Sequence, residues 1–75
     1  MNRFIEVTRL ENGERILLNE SDVSMLRESI REDRKRVTYI HTDYYPRGLA
    51  IREPYKKILQ VLGLKGIIKS QKETD

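Results

Sequence analysis

The run Arg3-Phe-Ile-Glu-Val-Thr-Arg-Leu10 alternates in steps of two, with Ile5 and Val7 on one face and Phe4, Thr8 and Leu10 on the other. β-Branched and aromatic residues in that period predict a strand with one buried face. Asn12-Gly13 follows, a pair that accepts positive φ at both central positions of a type I′ turn, and Arg15-Ile-Leu-Leu18 returns as a second strand. Residues 3–18 are therefore expected to form a β-hairpin.

Asn19-Glu-Ser-Asp22 interrupts the alternation with residues whose side chains cap or turn the backbone. Beyond it, Val23, Leu26 and Ile30 recur at nearly helical spacing, and Met25-Leu-Arg-Glu28 has good helix propensity. The segment is short and carries Ser24 and Ser29, so helix and strand both fit Val23–Ile30. After the charged stretch Arg31–Arg36, Val37-Thr-Tyr-Ile-His-Thr42 is an uninterrupted run of β-formers, with Val37, Tyr39 and His41 on one face and Ile40 on the other. Asp43-Tyr-Tyr-Pro-Arg-Gly48 reads as a turn, and Leu49-Ala-Ile-Arg52 as the returning strand of a second hairpin.

Pro54 suits the first turn of a helix, where its missing N–H costs nothing, and Glu53 beside it suits the positive end of the dipole. Tyr55, Ile58, Leu59 and Leu62 form one apolar stripe at i, i+3, i+4 and i+7, with Lys56, Lys57 and Gln60 turned outward. Gly63 is placed to end the helix, with Leu64 folding back onto Leu59. The expected fold class is α+β: a small antiparallel sheet of two hairpins, four to five strands, packed by a C-terminal amphipathic helix. Residues 1–66 are expected to form a single domain. Residues 67–75 are expected to be a mobile tail, though Ile67 and Ile68 could pack or pair.

Composition narrows the function classes. At 75 residues, 37% hydrophobic and 36% charged, the chain can build one modest core without a large internal pocket. With no Cys and one His, it has neither a disulfide framework nor a Cys/His zinc cluster, which suits a reducing, cytoplasmic setting. Its longest apolar runs are far too short to span a bilayer, and Met-Asn-Arg-Phe is not followed by a signal-peptide core, so no membrane insertion is expected. The net charge of +3, from 15 basic and 12 acidic side chains, is a mild basic excess whose signs are interspersed.

The text Ile5-Glu-Val-Thr-Arg-Leu10, the Asn12-Gly13 turn, Ile16-Leu-Leu-Asn19, the hydrophobic positions Val23 and Leu26, and Ile51-Arg-Glu53 opening a helix resemble the small FlbD-type flagellar and swarming motility proteins. The likeness covers about residues 4–62. It departs at Glu11, an extra residue before the turn, and at Asp43–Gly48, which is longer than the family's tight turn. The resemblance implies a cytoplasmic, non-enzymatic protein that supports motility, with no catalytic residues to carry over. A looser likeness, from Leu18 through Leu62, is to the LytTR DNA-binding domain. For that family Arg34, Lys35, Arg36, Tyr44 and Arg47 are the nearest stand-ins for DNA-contacting residues.

Chemistry-bearing residues are few. His41 with Asp43 two residues on could hydrogen-bond or supply two metal ligands, and a metal site would need Asp22, Glu53 or another chain to complete it. No nucleophile signature surrounds Ser21, Ser24, Ser29 or Ser70, and no Gly-rich phosphate loop exists. No enzyme, cofactor or metal is therefore expected. Tyr44-Tyr45-Pro46-Arg47 is the most distinctive surface candidate, since adjacent aromatics beside an Arg can stack on a base, grip a peptide or anchor an interface; equally, one tyrosine of such a pair can fold inward. Tyr39 and Tyr55 are in phase with the apolar positions of their elements and are expected to face the core.

Small sheets leave edge strands, and Arg3, Arg9, Arg15 and Arg52 could serve as charged edge blockers. The first reading is a non-catalytic protein-interaction or adaptor module. It would bind a protein partner or a second copy through a sheet edge or through Tyr44, Tyr45 and Arg47. The alternative is a nucleic-acid-binding domain that gathers Arg34, Lys35, Arg36 and Arg47 on one face.

Overall fold

The computed structural model describes residues 3–63; Leu64 and the residue 67–75 segment lie outside them. Strands β1 (Phe4–Thr8) and β2 (Arg15–Asn19) pair antiparallel, with Ile5 opposite Leu18 and Val7 opposite Ile16. The alternation holds, since Ile5 and Val7 are buried while Phe4 and Glu6 are exposed. The connecting loop differs from the type I′ expectation. Only Gly13 adopts positive φ (76°), and the Asn12 side chain instead accepts the Glu14 N–H at 3.0 Å, holding the loop from outside the backbone. The Gly13 N–H closes back on the Arg9 carbonyl.

A single 3-10 turn (Glu20–Asp22), capped by the Asn19 side chain on Ser21 N–H, leads into β3 (Val23–Ile30). β3 pairs antiparallel with β4 (Arg36–Thr42), which pairs in turn with β5 (Leu49–Ile51), giving a three-stranded sheet in the order β3-β4-β5. Val23–Ile30 is thus a strand, and the register explains its helix-like spacing. A bulge between Val23 and Met25 leaves Ser24 as an extra residue, so Val23, Leu26 and Ile30 fall opposite Thr42, Ile40 and Arg36, all on one face. The Arg31–Lys35 stretch is the hairpin turn, closed by the Arg31 N–H on the Lys35 carbonyl, with Arg34 at φ 67°.

The two sheets meet where Arg9 bridges Ile51, flanked by Leu10 N–H to the Ala50 carbonyl (2.9 Å) and Arg52 N–H to the Thr8 carbonyl (2.8 Å). Among the described residues the outer edges of β2 and β3 pair with no strand. Helix α1 (Tyr55–Leu62) covers the shared face with Ile58 and Leu62, joining Ile5, Val7, Leu18, Ile40, Leu49 and Ile51 in one core. Pro54 is the N-cap and not the first helical residue, and Gly63 ends the helix at φ 65° with its N–H on the Leu59 and Gln60 carbonyls. Leu59 is only partly buried.

Candidate functional site

The β4–β5 loop is held by its own polar atoms. Thr42, 2% exposed, accepts the Tyr44 and Tyr45 N–H groups on Oγ1 at 3.1 and 3.2 Å, and the Gly48 N–H reaches the Tyr45 carbonyl at 2.9 Å. The tyrosine pair splits between surface and interior. Tyr45 packs against the core beneath the Arg9 guanidinium, 5.7 Å from its ring centre, whereas Tyr44 is 80% exposed. Arg47 is exposed on the same loop. Arg9, Leu10, Tyr45, Gly48 and Ala50 help line a shallow open groove beside it.

His41 is a structural link between strand and loop. The Arg27 Nε–H donates to its Nε2 at 3.0 Å, so Nδ1 carries the proton and donates to the Pro46 carbonyl, also at 3.0 Å. Both nitrogens of this buried ring are therefore used, and Gly48 lies against it so closely that a Cβ there would sit 2.8 Å from Nε2. Asp43 is exposed on the loop that follows. Among the described residues no three His, Asp or Glu side chains gather as a metal-holding group, and none of their helices is long and apolar enough to cross a membrane.

Tyr39 departs from the core expectation. It lies opposite Ala50 and Arg27 on the sheet face away from the core, partly buried, with the Arg27 guanidinium stacked over it at 4.3 Å. Its phase with Val37 and His41 is as expected, but the core collects on the Ile40 face. Tyr55 is also partly buried, outside the core cluster.

The four nucleic-acid candidates do not converge. Arg34 and Lys35 sit in the β3–β4 turn and Arg36 at the start of β4, whereas Arg47 lies beyond the other end of β4, about 20 Å away at the ordinary rise of a strand. Arg36 also pairs with Glu28 at 3.5 Å.

Nor do the four supposed edge blockers guard a free edge as a set. Arg3 donates to the Val61 carbonyl at the helix C-terminus (3.0 Å) and lies 3.4 Å from Glu20; Arg9 pairs with Glu14; Arg15 with Glu6; Arg52 donates twice to the Leu10 carbonyl at 3.3 Å.

Glu53 likewise has a job the sequence did not reveal. Its carboxylate accepts the Thr8 N–H and hydroxyl, each at 2.8 Å, clasping β1 to the start of α1. Partial burial pushes its pKa up, but the two Thr8 hydrogen bonds, its own amide and nearby Lys57 outweigh this and hold it below the ordinary carboxylate value.

Of the two outer edges that pair with no strand among the described residues, that of β3 is the longer, eight residues against the five of β2. It carries Met25 and Ile30 at 51% and 66% exposure, and places Arg27 and Glu28 between them. Compared with protein-family models, curated proteins and solved structures, the chain has no significant match to any.

Proposed function

We propose that this chain is a non-catalytic protein-interaction or adaptor module, acting in a cytoplasmic setting, that takes up an extended segment of a partner protein along the outer edge of β3. The observation that carries this reading is the eight-residue edge itself, unpaired among the described residues and flanked by exposed Met25 and Ile30. An open edge offers a row of backbone donors and acceptors to another strand, and flanking apolar side chains add burial. The other interaction candidate, Tyr44 with Arg47, offers one large exposed side chain and one cation. The likeness to FlbD-type proteins agrees with a non-catalytic role. The separation of Arg34, Lys35 and Arg36 from Arg47 weighs against the nucleic-acid reading.

The test is selection from a library of short extended peptides, with a parallel fluorescence titration of mixed DNA and RNA oligonucleotides at two salt concentrations. Selected peptides are expected to bind the native chain and the Tyr44→Ala variant alike, and to be lost with Met25→Lys combined with Ile30→Lys. Binders that depend on Tyr44, or tight oligonucleotide binding that falls steeply with salt, would overturn the proposal.

A further inference from the structure

The charge pattern of the β3 edge says what kind of strand it accepts. Directly opposed residues on paired antiparallel strands share a face, so a second copy of this chain, related by a twofold axis normal to the sheet, must have that axis pass through a residue. An axis at Arg27 opposes two arginines, and one at Glu28 opposes two glutamates. An axis at Ser29 sets Arg27 against Arg31 of the second copy. An axis at Leu26 avoids like charges but overlaps only Met25 to Arg27, because the bulge at Ser24 ends the regular ladder. Like charges directly opposite one another destabilise a strand pair, so the edge discourages its own copy.

A foreign strand escapes this constraint. Arg27 is anchored by His41 and stacked on Tyr39, yet its terminal nitrogens donate to nothing among the described residues. Glu28 meets Arg36 through one oxygen only, at 3.5 Å. Leu26 and Ile30 share the core-side face, and Met25 is half exposed on the other.

Building on the edge-binding reading, we infer that the partner is a different protein, contributing an antiparallel strand that reads, from its N-terminal end, apolar, any residue, basic, acidic, apolar, apolar. The first position lies opposite Ile30, the basic residue opposite Glu28, the acidic residue opposite Arg27, and the last two opposite Leu26 and Met25.

The experiment is fluorescence anisotropy of the full chain with two labelled peptides, Val-Thr-Lys-Glu-Val-Val and its charge-reversed form Val-Thr-Glu-Lys-Val-Val. The first is expected to bind about tenfold more tightly, two opposed pairs changing from attraction to repulsion in the second. Glu28→Lys should shrink that preference, and Arg27→Glu with Glu28→Lys should invert it. Equal affinities that are both lost with Met25→Lys and Ile30→Lys overturn the inference and leave edge binding standing. Absence of binding by either peptide up to about 1 mM overturns both. A dimer that forms with rising concentration and is lost in the same lysine variant overturns the inference in favour of a second copy.

Discussion

The seam between β1 and β5 and the outer edge of β3 are both strand borders, and the chain treats them in opposite ways. The seam is tied by backbone and side chains together: Arg9 bridges Ile51, Arg52 caps the Leu10 carbonyl, and Glu53 receives both polar hydrogens of Thr8. Ile5, Val7 and Ile51, each at most 3% exposed, pack beneath it. At β3 only the inner side is paired among the described residues, and two large apolar side chains point into water. A chain this short has one core to build, and it closes the border that covers that core. The border left open carries surface chemistry instead.

If the seam holds the fold, damage beneath it should cost most. Ile51→Ala, at a position only 2% exposed beneath the seam, is expected to cost about 3 kcal/mol in denaturant unfolding; a loss under about 1 kcal/mol would place the core elsewhere. Gly48 comes next. Ala there needs a Cβ 2.8 Å from His41 Nε2 at φ 99°, so about 2 kcal/mol is expected. Gly63→Ala, also at positive φ (65°) but with nothing else among the described residues within 4 Å of the added Cβ, should cost about 1 kcal/mol. Equal costs at the two glycines would show that the His41 contact is not tight.

The open choice between helix and strand at Val23–Ile30 shows where the sequence stops short of the structure. Ile5 and Val7, the Val37–Thr42 run and the Ile58/Leu62 stripe were legible because each element keeps a single period from end to end. Val23, Leu26 and Ile30 kept the helical period for another reason: one extra residue at Ser24 shifts the strand's phase, and a bulge has no signature in a single sequence. The clasps were invisible for a different reason. Thr8 and Glu53 are 45 residues apart, and Arg3 and Val61 58, so only the assembled fold brings them together. For the candidate site, Tyr44 and Arg47 were legible as surface chemistry, while the open β3 edge was hidden behind the helix-or-strand ambiguity.

The Glu53 clasp makes the seam sensitive to acid in a way the β3 edge is not. A carboxylate whose folded pKa lies below its unfolded value of 4.5 contributes stability above that value and loses it as pH falls through the folded pKa. Thr8→Val removes the hydroxyl donor, and should lower neutral-pH stability by about 1 kcal/mol and flatten the acid limb of the melting curve. An acid limb unchanged in Thr8→Val would detach Glu53 from that stability.

The smallest expected effect lies farthest from the seam. Tyr44→Ala should change stability by no more than about 0.5 kcal/mol, and a larger loss would assign that ring a packing role.

Whether β3 offers an open edge beside a closed core can be read from amide hydrogen exchange along β3 and β4 in dilute protein. Protection should alternate within Met25–Ile30, with amides turned toward β4 protected and those turned outward exchanging nearly as fast as a free chain, against continuous protection from Thr38 to Ile40. Uniform protection along β3 in the dilute chain would contradict an open edge, because the edge would then already be covered.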